Sequence, residues 1–234
     1  MNNKILIIGA YYSTNNNNVE DIMKEFYNTN SYVVEQKWLS LGDSKVSDLV
    51  SNNTVLTSLT KDGKSIHMNK LLQNVNISDY KYILVSDDDF EMENGFLDKY
   101  LFMMDKYNFS LSQPSRIDHQ SWQITWQIPT LNARRTMRIE GGPLIAIRYD
   151  LAPLILPFNE QSPMGWGEHV IWPHVVQKHN LKMGIIDAVG VNHTMRPVAS
   201  LYDGNKAMND MFHMLKQVDY YKGDGDIILE RHIK

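Results

Sequence analysis

The sequence has no cysteine, and this absence excludes disulfides, thiolate metal sites and cysteine nucleophiles. It has no apolar run near the roughly 18 residues that span a bilayer, and its first residues lack the features of a secretory signal. Basic residues are not in excess, since the net charge is -4, whereas a nucleic-acid surface requires a basic stripe. We therefore expect a cytoplasmic protein with no membrane span and no clear nucleic-acid surface.

Two common phosphate-binding motifs are also absent, although the chain begins like many nucleotide-binding proteins. Neither GxGxxG nor a Walker lysine occurs, so the sequence supports neither dinucleotide nor P-loop binding. Residues 4–10 have the apolar composition of a buried strand, and an amphipathic helix is predicted to follow from Asn18. Between them, Tyr11, Tyr12 and Ser13 could stack on and hydrogen-bond a nucleoside, or could form an ordinary exposed loop.

The length of 234 residues fits one domain, since no linker or internal repeat interrupts the chain. Alternating strand and helix patterns predict an α/β fold, a Rossmann-like mixed sheet flanked by helices. Further strands are predicted at 32–39, 80–85, 109–112, 144–147 and 182–191, a hairpin-like piece at 54–63, and helices at 66–74, 91–107 and 170–179. Residues 116–138 are predicted to be irregular. A last helix is predicted to place Met208, Met211, Phe212 and Leu215 on one face, and residues 219–234 are predicted to be peripheral.

Three consecutive carboxylates, Asp87, Asp88 and Asp89, follow the strand predicted at 80–85. Ligands in open α/β sheets bind just outside the carboxyl ends of strands. Adjacent carboxylates repel one another unless a cation joins them, and hard divalent cations prefer carboxylate oxygens. Asp87 and Asp89 point to one side if the chain stays extended, so they are predicted to share one ion. Asp89 could instead simply cap the helix that follows.

Glycine-rich turns mark two later positions. Gly141 and Gly142 precede a predicted strand and suggest that the backbone passes close to something. Residues 164–169 place a tryptophan between two glycines, after which Glu168 opens a helix. A carboxylate in a first helical turn is also favourable because of the helix dipole alone. His193 follows the last predicted strand, and a lone histidine is most often a satisfied polar group.

The predicted irregular segment is rich in tryptophan and arginine, including Trp122, Trp126 and Arg138. These side chains suit sugar stacking and phosphate pairing. They suit a packed loop with a solvated basic rim equally well, and the sequence does not separate the two interpretations.

The order of these features resembles the glycosyltransferases of the GT-A fold. In that group the acidic cluster is the DXD motif, which holds a divalent cation on the diphosphate of a nucleotide sugar. The turn that matches Gly165 to Glu168 contacts donor and acceptor. A histidine after a late strand, here His193, often completes the metal shell.

The chain resembles still more closely a glycosyltransferase-like family of unknown function that is common in plants and bacteria. In that family a strand ends in Asp-Glu-Asp and is followed by a helix and then Ser-Gln-Pro, as at 112–114 here. A Trp-Gly turn and a histidine come later, matching Trp166-Gly167 and His193. The resemblance covers roughly residues 80–198. This chain departs from the pattern at His169, where that family tends to have an aspartate.

The resemblance implies transfer of a sugar from a nucleotide-diphosphate donor, with a UDP-sugar favoured, to a hydroxyl of an acceptor carbohydrate or other compound. It implies Mn2+ (or Mg2+) held by Asp87, Asp89 and His193. If the transfer inverts the configuration, Glu168 is the candidate base that deprotonates the acceptor. If the transfer retains the configuration, Glu168 would only position the substrate. Donor contacts are then expected from a larger set: Ala10, Tyr11, Tyr12, Asp87, Asp88, Gly142 and Trp166.

Residues 1–234 are expected to form a single domain, with a nucleotide-binding half over 1–115. The acceptor-binding half and the last helix would occupy 116–234. Two other classes of function stay open. One is a metal-dependent phosphohydrolase or phosphotransferase, although Glu91 stands where a haloacid-dehalogenase pattern requires threonine. The other is a non-catalytic protein that binds a nucleotide sugar.

Overall fold

The computed structural model describes residues 3–14, 16–60, 62–197 and 199–234. Within these ranges, ten strands form one mixed sheet flanked by helices, which confirms the predicted fold class. The strands are β1 (Lys4–Tyr12), β2 (Val33–Leu41), β3 (Thr54–Ser58), β4 (Tyr82–Ser86), β5 (Glu91–Met92), β6 (Leu111–Arg116), β7 (Leu131–Thr136), β8 (Leu144–Arg148), β9 (Met183–Asn192) and β10 (Ile228–Ile233).

Helices lie on both faces of the sheet. The helices of the described ranges are α1 (Val19–Tyr27), α2 (Asp48–Asn53), α3 (Lys64–Leu72), α4 (Phe96–Tyr107), α5 (Ala152–Ile155), α6 (Glu168–Lys178) and α7 (Gly204–Leu215), with short 3-10 turns at Ile77–Asp79 and Gln123–Thr125. Among the described residues, none of these helices combines the length and the apolar character that a bilayer crossing requires.

The strand order is β10-β7-β9-β6-β8-β4-β1-β2-β3, with β5 paired to β9 outside this path. The four strands β3, β2, β1 and β4 are parallel, as expected for strands joined through helices. β8 lies antiparallel between β4 and β6. β9 is parallel to β6, and β7 and β10 are each antiparallel to their neighbours. The carboxyl ends of β1, β4, β6 and β9 therefore lie at one edge of the sheet.

The two central strands β1 and β4 are buried on both faces, which explains their nearly continuous apolar sequence. On one face, Ile5 and Ile7 pack in a core cluster with Phe26 of α1, and the predicted apolar stripe of α1 is confirmed. On the other face, Leu6 packs in a second cluster with Met68 of α3.

The start of β8 adjoins the end of β4 at the edge that carries the acidic residues. Ser86, the last residue of β4, pairs with Leu144, the first residue of β8. The N–H of Asp87 then donates to the carbonyl of Pro143 at 2.8 Å. The strand pairing therefore places the Gly141–Gly142 turn directly beside the carboxylates.

A two-residue strand joins the acidic loop to the far side of the sheet. β5 begins two residues after Asp89 and pairs antiparallel with the end of β9, so that Glu91 lies opposite Asn192. This pairing brings the acidic loop beside His193, which follows Asp89 by 104 positions.

The same pairing corrects the predicted helix at 91–107, which begins at Phe96 instead. Residues Glu91–Met92 are extended because they pair with β9, and Gly95 at a φ of 72° turns the chain into the helix. The predicted hairpin at 54–63 is also wrong, because Thr54–Ser58 form a single strand parallel to β2.

Three further elements differ from the sequence pattern. The strand predicted at 109–112 runs over Leu111–Arg116 and includes Pro114, which the sheet accommodates where the pairing with β9 shifts register. The segment 116–138, predicted to be irregular, contains β7, and the segment 219–234, predicted to be peripheral, contributes β10 to the sheet.

The four apolar residues predicted to share one face of the last helix are exposed or half-buried. Met208 and Phe212 are 43% and 54% exposed, and α7 instead buries Ala207 and Met214. The reason is that α7 packs on the turn before α6, where a methyl group added to Gly167 would lie 2.6 Å from the Met214 side chain.

Candidate functional site

The three consecutive aspartates have different surroundings. Asp89 is buried, and its Oδ1 lies 2.9 Å from Nε2 of His193. The N–H of His193 donates to the Asp118 carboxylate at 2.8 Å. Asp118 is in turn held by the guanidinium of Arg116, with the closer contact at 2.9 Å. The histidine predicted to meet the acidic loop is therefore beside it, and its backbone is fixed from behind.

Asp87 is half-buried, and its partners differ from those of Asp89. Its Oδ1 accepts a hydrogen bond from the ammonium of Lys64 at 2.6 Å. The same ammonium donates to the carbonyl of Gly141 at 2.9 Å. A Cβ atom added to Gly142 would lie 2.5 Å from the second oxygen of Asp87. The Asp87 carboxylate can therefore occupy its position only because residue 142 has no side chain.

Asp88, which was predicted to contact the donor, is buried and is used within the protein. Its carboxylate accepts a hydrogen bond from the backbone N–H of Tyr12 at 2.9 Å and also accepts from the guanidinium of Arg196. Its carbonyl accepts from the N–H of Asn18, the residue before α1. Asp88 therefore fastens the end of β1 and the start of α1 to the acidic loop and does not present its carboxylate to a ligand.

Arg196 joins two of the carboxylates and was not found from the sequence. Its Nε donates to Asp89 at 2.9 Å while its terminal nitrogens contact Asp88. Burial raises the pKa of Asp88 in spite of this contact. Burial would raise the pKa of Asp89 as well, but the hydrogen bonds and charges of His193 and Arg196 outweigh it and lower the pKa. Both carboxylates in turn raise the pKa of Arg196.

The geometry fits a divalent cation. One candidate ligand atom from each of Asp87, Asp89 and His193 lies within 4.8 Å of the other two. Lys64 and Arg196 supply two positive charges against three carboxylates, so negative charge remains for a metal to balance. Carboxylate oxygens and an imidazole nitrogen are ligands that suit first-row divalent metals.

The residues at the end of β1, which were predicted to contact a nucleoside, have different surroundings from one another. Tyr11 is buried in the core, and its hydroxyl hydrogen-bonds Thr54 at 2.9 Å, so the prediction that its ring stacks on a nucleoside is wrong. The cause is that β1 continues to Tyr12, and strand alternation turns Tyr11 to the same inner face as Ile7. Ala10 and Tyr12 face the other side, and the Tyr12 ring lies 5.6 Å from the Arg196 guanidinium.

Trp166 lies in the turn before α6, and Glu168 is the first residue of that helix. The indole N–H of Trp166 donates to the hydroxyl of Tyr202 at 3.1 Å, and the two rings meet edge to face. Glu168 is only 5% exposed and accepts a hydrogen bond from the N–H of Asn159 at 3.2 Å. Burial raises the pKa of Glu168 to about 7, in the range that suits a general base.

A second acid, the half-buried Glu140, was also missed. It precedes the glycine pair, receives a hydrogen bond from Ser121, and accepts from Arg116 at 3.1 Å. Burial raises its pKa. The adjoining Gly141–Gly142 pair was the signal that could have drawn attention to Glu140, whereas nothing in the pattern distinguishes Arg196 or Lys64 from surface cations.

The chain shares its fold with solved glycosyltransferases. The chain is similar to GalNAc-T7, crystallised with UDP, GalNAc and Mn2+, with a TM-score of 0.66 and 10% identity over 91% of this chain. It is similar to S. aureus TarS 1-349 in complex with UDP-GlcNAc, with a TM-score of 0.61 and 10% identity over 90% of this chain. The chain spans 47% and 65% of the length of these two structures. No curated protein matches the sequence.

These likenesses define the class by fold: the chain has the GT-A fold of nucleotide-sugar glycosyltransferases. It belongs to the family described as "Protein of unknown function (DUF707)", which matches residues 1–141. The prediction of a GT-A-like member of an uncharacterised family is thus confirmed.

The Gly142 position provides a direct test of the space beside Asp87. Gly142→Ala is expected to displace the Asp87 carboxylate and to weaken Mn2+ binding by about tenfold, the loss typical when a group that orients a metal ligand is changed. Gly141→Ala is the matched control, because its added methyl group would meet only Trp172, at an ordinary 3.8 Å. Equal Mn2+ affinity of the two variants in calorimetry would show that Asp87 does not depend on this glycine.

Arg196 is expected to stabilise the fold through the buried Asp88. Arg196→Ala leaves that carboxylate buried without its cation, and loss of one partner of such a pair costs about 3 kcal/mol in the free energy of unfolding. Arg135→Ala is the control, because its 2.7 Å pair with Glu230 is about one-third exposed and such pairs contribute under about 1 kcal/mol. Urea denaturation measures both; a small loss for Arg196→Ala would contradict the assignment.

Proposed function

We propose that this protein is a metal-dependent glycosyltransferase that moves a sugar from a UDP-sugar to an acceptor hydroxyl. The observation that carries the proposal is the meeting of Asp87, Asp89 and His193 at the carboxyl edge of a GT-A sheet. The choice of UDP and of Mn2+ is supported by structural neighbours crystallised with these ligands.

Asp89 and His193 would hold Mn2+, or Mg2+, with Asp87 completing the protein ligands directly or through water. The imidazole nitrogen favours manganese over magnesium. When bound, the cation supplies positive charge to the diphosphate that leaves with the nucleoside. Lys64, which lies 2.6 Å from Asp87, would supply a further positive charge on the same side.

The donor would lie across residues 1–115 of a single domain, with its diphosphate at the acidic loop. Ala10 and Tyr12 at the end of β1 and the backbone of Gly142 would line this side. Trp166, held by Tyr202, would offer an apolar face to the sugar ring. Asp88 and Arg196 would position this wall without contacting the donor.

The acceptor would bind within residues 116–234. In an inverting transfer its hydroxyl needs a base as the bond to the anomeric carbon forms. Glu168 is our candidate because its pKa of about 7 leaves a large deprotonated fraction at neutral pH and a base with a pKa near the working pH is the most effective. The proton would pass from the acceptor oxygen to the Glu168 carboxylate while the nucleoside diphosphate leaves.

Calorimetry with UDP and a panel of UDP-sugars, with and without Mn2+, tests the proposal. We expect binding that requires Mn2+, together with slow release of UDP when only water accepts the sugar. Binding without any turnover would favour a nucleotide-sugar-binding protein. Release of inorganic phosphate from simple phosphate esters would favour a phosphohydrolase, and failure to bind any UDP compound would overturn the proposal.

A further inference from the structure

Trp122 is a large apolar side chain that stays 39% exposed in the segment between β6 and β7. The guanidinium of Arg138 lies 4.5 Å from the centre of its ring. The ring of His169 meets it edge-on with centroids 4.9 Å apart. The indole is thus held by contacts with two neighbours while a substantial part of its surface remains accessible.

The backbone beneath the ring is also fixed. The carbonyl of Trp122 accepts hydrogen bonds from the N–H and the hydroxyl of Thr125, both at 2.8 Å. The indole N–H of Trp126 donates to the carbonyl of Ser121 at 2.9 Å. A ring ordered in this way loses little conformational entropy when a ligand stacks on it.

A series of hydrogen bonds connects the Trp122 segment to the candidate metal site. Ser121, the residue before Trp122, donates to Glu140, and Glu140 accepts from Arg116. Arg116 holds Asp118, which fixes the backbone of His193. From the other direction, His169 is the residue next to Glu168, the proposed base. The exposed tryptophan therefore contacts the residue next to Glu168 and is connected to His193 through a chain of contacts.

The charges around the ring favour a neutral ligand. Arg138 is paired with Asp226, with nitrogen and oxygen 2.6 Å apart. Burial and the nearby Arg138 lower the pKa of His169 to about 4, so this imidazole is neutral at neutral pH. A pyranose ring, which has one apolar face and a rim of hydroxyls, matches an aromatic face with polar neighbours.

We propose that Trp122 and His169 form an acceptor subsite that stacks the ring of a neutral saccharide and directs one of its hydroxyls toward Glu168. This subsite rests on the proposed glycosyltransferase function and specifies the chemical class of its acceptor. The subsite favours neutral saccharides over peptide and anionic acceptors.

Transfer from the active UDP-sugar to a panel of neutral trisaccharides, including cellotriose and triacetylchitotriose, tests the subsite. Trp122→Ala is expected to raise the KM for the accepted saccharide by about tenfold, whereas Trp122→Phe retains a stacking face and raises it less. Release of UDP to water and its Mn2+ requirement should be unchanged in both variants. Phe102→Ala, which removes another exposed aromatic ring, 57% exposed on α4, is the matched control.

The outcomes separate this inference from the proposed function. If the wild-type protein neither binds nor turns over any UDP-sugar, the function itself fails. If it turns over a UDP-sugar but Trp122→Ala leaves the acceptor KM unchanged, the subsite is wrong. Transfer to peptides or to anionic sugars alone, with no neutral saccharide accepted, also overturns the subsite.

Discussion

Asp89→Asn is expected to abolish Mn2+-dependent binding of UDP. The substitution keeps the shape of the side chain but removes the charge that faces His193 and Arg196 at 2.9 Å. Outer-shell partners of a metal already contribute about 10- to 100-fold in affinity, so removing a charged ligand should weaken binding by about 100-fold or more. Calorimetry with UDP and Mn2+ measures the loss.

The control for Asp89→Asn is Asp21→Asn, which changes an exposed carboxylate on α1 by the same atoms. Thermal melting should show that the folded state of Asp89→Asn survives, since Arg196 keeps its contacts with Asp88. Undiminished metal-dependent binding in a folded Asp89→Asn protein would contradict the assignment of Asp89 as a ligand.

Glu168→Gln is expected to lower the rate of sugar transfer by about 10²- to 10⁴-fold, the contribution typical of a general base, while UDP binding is retained. The glutamine oxygen can still accept the hydrogen bond from Asn159, so the local structure should persist. Transfer and donor binding are measured separately. Glu160→Gln, an exposed acid in the preceding loop, serves as the control.

The pH profile gives a second readout of the same residue. Because the pKa of Glu168 is about 7 and only the carboxylate can accept a proton, wild-type transfer should rise with pH through about 7. In Glu168→Gln this rise should disappear. If Glu140→Gln loses the rise of transfer with pH and Glu168→Gln keeps it, the base is Glu140. If Glu168→Gln loses donor binding as much as it loses transfer, Glu168 is structural.

The raised pKa also links Glu168 to stability. In the unfolded chain the group ionises at its ordinary, lower pKa, so the unfolded state releases the proton more readily than the folded state. The stabilisation from the protonated, buried carboxyl is therefore present in acid and is lost as pH rises through about 7. Glu168→Gln should reduce this part of the pH dependence of the melting temperature.

The sequence predicted the central parallel strands and α1 well because their apolar residues repeat at strand and helix spacing. Local patterns failed where tertiary pairing decides. Two residues, Glu91–Met92, leave the predicted helix because β9 offers them backbone partners. Tyr11 was predicted to contact a nucleoside because the sequence pattern did not show that β1 extends far enough to bury the Tyr11 side chain.

The candidate site was predicted unevenly for similar reasons. The aspartate triplet is visible because like charges after an apolar strand require a partner. His193 was paired with it only through the resemblance, since no local pattern shows that a two-residue strand joins positions 104 apart. Arg196, Lys64 and Glu140 act through contacts across the sheet edge, and single charged residues in polar segments carry no spacing signal.

The most direct test of the account is a crystal grown with Mn2+ and UDP and measured at a wavelength where manganese scatters anomalously. We predict one strong anomalous peak within coordinating distance of Asp89 and His193, in contact with the diphosphate. A well-ordered UDP molecule bound elsewhere, or a manganese peak that touches neither Asp89 nor His193, would contradict the account.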